Sequence, residues 1–159
     1  MAENDNAISV LNNLIETCKD GQNGFQTAAE GVKRSDLKSL FYEYSQQRAQ
    51  FAGELQQEVR RLGGDPTQSG SVAATLHRGW INIKSAVTGE DENAVLAECE
   101  RGEDSAVSNY KDALEDTNLP ADLRAVVERQ YAQVREAHDR IRNLERATDT
   151  GGTTRSASV

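Results

Sequence analysis

The stretch AVLAECERGEDSAVSNYKDAL, residues 94–114, decides the fold because apolar side chains recur in it at helical spacing. Residues three or four positions apart lie on one face of a helix. The stripe comprises Val95, Cys99, Ala106, Tyr110 and Leu114. Between Cys99 and Ala106 it passes through Gly102 and Glu103, so an acid interrupts the apolar face. We therefore expect a helix that points the carboxylate of Glu103 into a core.

Three other long segments carry apolar stripes of the same kind. We predict helix one over residues 6–32 and helix two from Ser35, its N-cap, to Leu62. Helix three covers about 91–115, and helix four covers about 120–146. The stripe of helix four consists of Leu123, Val127, Tyr131, Val134, His138, Ile141 and Leu144. Because the connections within each pair are short, we expect two antiparallel hairpins.

Polar residues interrupt two of these other stripes near their middles. Arg48 lies on the apolar stripe of helix two, between Tyr44 and Phe51, and His138 lies on the stripe of helix four. A rise of ~1.5 Å per residue places Arg48 and Glu103 at one depth if helices two and three are parallel. A buried arginine needs a partner, so we expect an Arg48–Glu103 ion pair, joined by His138 or by a tyrosine hydroxyl. The candidate hydroxyls belong to Tyr44, Tyr110 and Tyr131. The alternative is that Arg48 extends to water.

The segment DGQNG, residues 20–24, places two glycines inside predicted helix one. Gly21 and Gly24 each cost about 1 kcal/mol relative to alanine in a helix interior. The segment therefore indicates a kink or a close approach between helices. A break into two helices is the alternative.

The connection between the hairpins, residues 63–92, is a long crossover. Inside it, residues 71–87 have the pattern of a shorter helix with Trp80 on its apolar side. His77, Arg78 and Lys84 make this the locally basic element of an acidic chain. The helix either closes an end or side of the bundle with Trp80 as its anchor, or presents a docking or dimerisation surface.

Composition bounds the class of protein. The chain has 159 residues, 36% of them hydrophobic and 28% charged, and a formal charge of -8. The excess of acids repels phosphate backbones and disfavours nucleic-acid binding. No segment approaches the roughly 20 apolar residues that span a membrane, and the N-terminus lacks the pattern of a secretory signal. We therefore expect a cytoplasmic protein without membrane or nucleic-acid partners.

These features predict one helical domain over residues 1–146, followed by a disordered tail over 147–159. The tail, TDTGGTTRSASV with the preceding alanine, lacks bulky apolar residues except the final valine. Cys18 and Cys99 both lie on inward stripes, so we expect buried free thiols in place of a redox or metal role.

Several blocks of the chain resemble a known family. They are ETCKDGQNGF, YSQQRAQFAGELQQEVRRLGG, RGWINIKSAVTG, ECERGEDSAVSNY and REAHDRI, within residues 8–144. The chain resembles a bacterial four-helix-bundle family of unknown function in the ferritin-like superfamily. The resemblance implies an all-α, ferritin-like four-helix bundle of two antiparallel hairpins, joined by a long crossover that carries the extra short helix.

Metal-binding members of that superfamily use carboxylates and histidines from all four helices. By resemblance, Glu103 matches the helix-three carboxylate and His138 matches the helix-four histidine. In those members helix two and helix four each carry a glutamate followed three residues later by a histidine. In helix four of this chain, Arg135 stands in the place of the glutamate. In helix two, Arg48 and Phe51 stand in the places of the glutamate and the histidine. We therefore expect no metal cofactor and an internal Arg48–Glu103 pair in its place. Iron or manganese held by Glu103 and His138 is the alternative.

The preferred hypothesis is a non-enzymatic structural or interaction protein that self-associates, most simply as a dimer. A link to stress comes from the resemblance alone. The competing hypotheses are a degenerate metal-binding or ferroxidase-like protein using Glu103 and His138, and a helix-mediated adaptor that uses the face around Trp80.

Overall fold

The computed structural model describes residues 2–66, 80–117 and 119–158. Within these ranges the chain forms helices and turns and no strand. The helices are α1 (Ala2–Gly31), α2 (Ser35–Arg61), α3 (Ile83–Thr88), α4 (Glu92–Glu115) and α5 (Ala121–Ser158). The prediction of an all-α bundle is confirmed, and α4 and α5 correspond to predicted helices three and four.

Hydrogen bonds between helices establish the topology. Asn6 donates to Asp116, whereas Asn109 donates to Thr17, so α1 and α4 are antiparallel. Ser45 donates to the carbonyl of Gln22, and Lys38 donates to that of Ala29. Thus α1 and α2 are antiparallel as well, and α2 and α4 are parallel. The crossover between them must therefore run the length of the bundle.

The core consists of two apolar clusters, one toward each end of the bundle. The first contains Leu11, Ile15, Cys18, Phe51, Leu55, Tyr110, Val127 and Val134 among its members. The second contains Phe25, Leu37, Phe41, Tyr44, Leu96, Cys99, Ala137 and Ile141. Members of each cluster come from α1, α2, α4 and α5, so the four long helices share both. Arg48 and Glu103 lie at the level where one cluster gives way to the other.

Helix α1 runs without a break through the DGQNG segment. The alternative of two separate helices is therefore wrong. A Cβ atom at Gly21 would stand 3.2 Å from Nη1 of Arg48, and one at Gly24 would overlap the indole of Trp80. The glycines allow the close approach of two side chains to the helix, whereas the sequence pattern predicts an approach between helices.

The start of α2 and the start of α4 lie within one residue of the predicted positions, and the cap of α2 differs from prediction. Arg34, not Ser35, holds the N-cap position of α2, and its side chain makes no capping hydrogen bond. The Arg34 guanidinium instead binds the carboxylate of Asp36 in the first turn. At α4 the N-cap is Asp91, whose side chain accepts from the amides of Asn93 and Ala94, the usual way to satisfy the free N–H groups of a first turn.

The crossover and the C-terminal segment differ in part from prediction. In the described part of the crossover, the short helix is α3 (Ile83–Thr88), and the rest of the predicted helix over 71–79 lies outside the described residues. Helix α5 continues to Ser158, so the helical backbone covers most of the segment predicted as a disordered tail. Pro120 is the last proline of the chain, so no proline interrupts the hydrogen-bond ladder of α5. In the described ranges, no helix combines the length and apolar character that a membrane span requires.

Candidate functional site

The candidate site is a buried ion pair between α2 and α4. Arg48 donates from Nη1 to Oε1 of Glu103 over 2.5 Å and from Nη2 to Oε2 over 2.6 Å. Their side chains are 1% and 0% exposed. Both oxygens and two guanidinium nitrogens are engaged in a parallel fork, the geometry that gives arginine–carboxylate pairs their strength. The structure thus brings these two predicted residues together, and Arg48 does not extend to water.

The surroundings of Arg48 are shaped to hold a guanidinium. Gly21 leaves room beside Nη1, and the ring of Phe25 lies 5.4 Å from the guanidinium carbon, within range of a cation–π contact. The side-chain oxygen of Gln47 accepts from Nε over 3.3 Å. Burial opposes the positive charge, but Glu103 outweighs this effect and raises the pKa of Arg48 above its ordinary value. The group therefore stays charged throughout the physiological range.

A hydrogen-bond chain lies one layer from the ion pair and touches all four long helices. The Tyr110 hydroxyl donates to Oε1 of Gln130 over 2.7 Å, so the Cys18 thiol, 3.1 Å away, acts as donor to that hydroxyl. The Gln130 amide in turn donates to the carbonyl of Phe51 and to Glu54. Tyr110 is one of the candidate tyrosines, but its hydroxyl binds Cys18 and Gln130 and not the ion pair.

His138 does not join the buried layer. Its Nε2 lies 2.6 Å from Asp104 Oδ1, and its Nδ1 lies 3.1 Å from Asp139 Oδ1, at the edge of the α4–α5 contact. Burial alone would lower the pKa of His138, but the hydrogen bonds to Asp139 and Asp104 outweigh it and raise the pKa above its ordinary value. The prediction that places His138 with Arg48 and Glu103 is corrected accordingly.

His138 lies outside the buried layer because the buried stripe of α5 is offset by one residue from the predicted stripe. Ala137 and Gln130 are 1% and 0% exposed, so they hold the inward positions that the pattern assigns to His138 and Tyr131. Steps of three and of four residues both keep a side chain near one face, so either choice satisfies the spacing. The sequence pattern does not predict a buried Gln130, because a glutamine next to a tyrosine is typical of the solvent-exposed side of a helix. No signal within the single sequence shows which of the two neighbours, Gln130 or Tyr131, faces the core.

Trp80 lies inside the fold and not on an open face. Its half-buried ring contacts Phe25 edge-on at 5.0 Å between ring centres. Two residues after Trp80, the backbone N–H of Asn82 donates to the buried carboxylate of Glu98 over 2.7 Å. This bond links the crossover to α4. Lys84 is exposed on α3, and His77 and Arg78 lie outside the described residues. The exposed apolar side chain at this face is Ile81, 66% exposed.

Both cysteines are free and buried. Burial raises the pKa of the Cys18 thiol to about 11, against a smaller lowering by its hydrogen bond to Tyr110. Burial likewise raises the pKa of Cys99 well above its ordinary value. Because the thiolate is the reactive form, these environments favour inert side chains.

The donor set does not fit an iron or manganese centre. A two-metal site in a four-helix bundle takes carboxylates and histidines from facing helices. Here both oxygens of the central Glu103 carboxylate already accept hydrogen bonds from the Arg48 guanidinium. Within residues 2–66, 80–117 and 119–158, no group of three or more His, Cys, Asp or Glu side chains is arranged to hold a metal ion.

The fold and the site define a class: an all-α bundle of two antiparallel hairpins with charged groups buried at its centre. The chain belongs to the family described as a domain of unknown function (DUF2383), which matches residues 6–116. No curated protein matches the sequence significantly.

A solved structure shares the fold. It is a two-domain protein containing DJ-1/ThiJ/PfpI-like and ferritin-like domains from Anabaena variabilis, with a TM-score of 0.73 and 17% sequence identity. The match covers 91% of this chain and 40% of that one, so the chain spans less than half the length of the larger protein. The bundle is therefore ferritin-like, as the sequence resemblance implies.

The ion pair gives a prediction for stability. Arg48→Met leaves the Glu103 charge buried without a partner, and Glu103→Leu does the same to Arg48. We expect each single substitution to lower the free energy of unfolding by about 3–5 kcal/mol, because the remaining charge is uncompensated. The double substitution should recover most of this loss. Urea unfolding followed by circular dichroism at pH 7 measures both.

The matched control is Arg61→Ala, which removes an exposed guanidinium bound to Glu58 and Asp122. Exposed pairs contribute little, so this variant should unfold close to the wild type. A double variant as unstable as the sum of the two singles would contradict a dry, mutually dependent pair.

His138 gives a prediction for pH dependence. Since its pKa is raised in the folded state, pairing stabilises the protein fully below the unfolded pKa of about 6.5. This stabilisation is lost as the pH rises through the folded pKa. Asp104→Asn should therefore lower the His138 pKa, measured by NMR titration, and destabilise the protein more at about pH 5.5 than at about pH 8.5. Asp112→Asn removes one charge elsewhere on α4 and serves as the control. An unchanged His138 titration in Asp104→Asn would reject the pairing.

Proposed function

We propose that this chain is a non-enzymatic ferritin-like bundle with a structural or interaction role, in which an ion pair takes the place of a two-metal centre. One observation carries the proposal: both oxygens of Glu103 bind the Arg48 guanidinium in the bundle interior. Each oxygen already accepts a charge-assisted hydrogen bond, so a metal ion would have to compete with the guanidinium for this carboxylate. The guanidinium also puts a permanent positive charge where a second cation would have to sit.

The position of His138 supports the same proposal. The imidazole binds Asp104 and Asp139 at the rim of the α4–α5 contact, while Glu103 faces α2. The two residues that a degenerate iron or manganese site would use therefore engage different partners. The ferroxidase-like alternative requires both to leave those partners.

The finer parts of the proposal follow from the resemblance and the composition. We place the protein in the bacterial cytoplasm, with a role associated with stress. The two free, buried thiols are compatible with a reducing compartment. An adaptor role through the face around Trp80 would rest on Ile81 and Lys84, because the indole itself is engaged inside the fold.

Self-association is part of this proposal, and the flank formed by α2 and α5 is its candidate surface. The backbones of these two helices lie farther apart than those of α1 and α2 or of α1 and α4, and long side chains such as Arg129 and Glu54 bridge the gap. A groove on the flank is lined by Phe51, Glu54 and Arg129 and by Gly53, whose Cβ position faces open space. A second copy of the chain would cover the groove.

Iron binding tests the non-enzymatic role. Purified protein incubated anaerobically with ferrous ion and then desalted should retain far less than one iron per chain. Oxygen consumption on adding ferrous ion should match that of buffer. His138→Ala serves as the paired variant, because it removes a proposed ligand without opening the ion pair. Stoichiometric iron that is lost in His138→Ala would overturn the proposal in favour of the metal-binding alternative.

Solution mass tests self-association. Sedimentation equilibrium of the wild type should give twice the mass of one chain. Gly53→Arg places a large charged side chain in the open groove and should give the mass of a single chain, with circular dichroism unchanged. Gly53→Ala, which adds one methyl group and favours the helix, should remain a dimer. A wild-type monomer, or a dimer that persists in Gly53→Arg, would reject this surface.

A further inference from the structure

The indole of Trp80 fills a slot between α1 and α4 that two glycines create. A Cβ atom added at Gly24 or at Gly102 would overlap ring atoms of Trp80. Gly24 contributes part of the slot's lining from α1, and Gly102 contributes another part from α4. The ring therefore lies directly against the backbone of both helices, and a side chain at either glycine would collide with it.

The floor of the slot is aromatic and lies above the ion pair. The Phe25 ring meets the indole nearly at right angles, an arrangement favoured between aromatic rings. The centre of the Phe25 ring also lies 5.4 Å from the Arg48 guanidinium carbon. Gly102 immediately precedes Glu103 in α4. The indole of Trp80 thus contacts Phe25, and Phe25 in turn contacts the buried Arg48.

The slot belongs to the two long helices, and the ring reaches it from the crossover. The Trp80 side chain enters from a turn before α3, and this turn is tied to α4 by the bond from Asn82 to Glu98. The two glycines are interior residues of α1 and α4, which are held by the rest of the core. Helix-interior glycines each cost about 1 kcal/mol relative to alanine. The glycines that line the slot thus belong to the long helices, whereas the ring that fills it belongs to the crossover.

We propose that the Gly24–Gly102 slot is a binding site for a planar bicyclic aromatic, occupied within the chain by Trp80. Removing the half-buried indole leaves an apolar space lined by the backbone at Gly24 and Gly102 and by the ring of Phe25. Apolar cavities in protein interiors take up aromatic molecules of matching shape. Free indole reproduces the ring of Trp80 and is the probe of choice.

The experiment uses the full chain with Trp80→Ala. Its melting temperature should fall below that of the wild type and rise saturably with added indole, because a ligand that binds only the folded state stabilises it by mass action. Isothermal titration should give one indole per chain. The wild type, whose slot is filled, should show no such shift. In the double variant Trp80→Ala/Gly102→Ala a methyl group occupies the slot, and the effect of indole should disappear.

Two results would overturn the proposal: no stabilisation of Trp80→Ala by indole, or equal stabilisation of the double variant. If Trp80→Ala is unfolded on its own, folding induced by indole supports the site, and failure to fold with indole rejects it.

A second measurement does not require the truncated variant. Trp80 is the single tryptophan of the chain, so its fluorescence reports on the slot. Gly102→Ala should expel the ring and shift its emission to the red, whereas Gly53→Ala, with open space at its Cβ, should leave the emission unchanged. An unshifted emission in Gly102→Ala would show that the slot is not closed by a methyl group and would contradict the proposal.

Discussion

A guanidinium and a carboxylate, both withdrawn from water at the centre of the bundle, are the constraint on which the other features depend. Neither charge is tolerable alone at that depth, because desolvation of an unpaired ion costs more than packing returns. Arg48 on α2 must therefore meet Glu103 on α4, two helices separated by a long crossover. This requirement places the two residues at one depth in the bundle, which the parallel course of α2 and α4 allows. It also divides the apolar core into two clusters.

The composition of the neighbouring helices follows from that pair. Gly21 stands where any side chain would crowd Nη1 of Arg48, and Phe25, one turn further along α1, offers its ring to the same group. Gly24 and Gly102 then leave the space that the indole of Trp80 fills above Phe25. These three glycines weaken their own helices, but each leaves room for a neighbouring side chain, either Arg48 or Trp80. The local cost is offset by the contacts of the side chains that occupy the space.

Much of this arrangement is present in the sequence pattern, because a polar residue on an apolar stripe is an informative departure. Arg48 and Glu103 each interrupt a stripe, and equal depth along parallel helices is enough to pair them. The pattern fails where two neighbouring residues compete for one inward position. Ala137 and Gln130 lie inward, while His138 and Tyr131 satisfy the same spacing on paper. The roles of Gly24 and Gly102 could not be predicted, because they depend on a ring that approaches from a distant part of the chain.

The hydrogen-bond chain from Cys18 through Tyr110 and Gln130 to Glu54 has a consequence for assembly. The Tyr110–Gln130 bond lies within the second hairpin, but the bonds to Cys18 and to Glu54 each join it to the first. In a hairpin on its own these polar groups would bond to water. If the two hairpins packed together in a shifted register, the same groups would be buried without their partners, at a cost in free energy. The hydrogen-bond chain therefore favours one register of the two hairpins over all others.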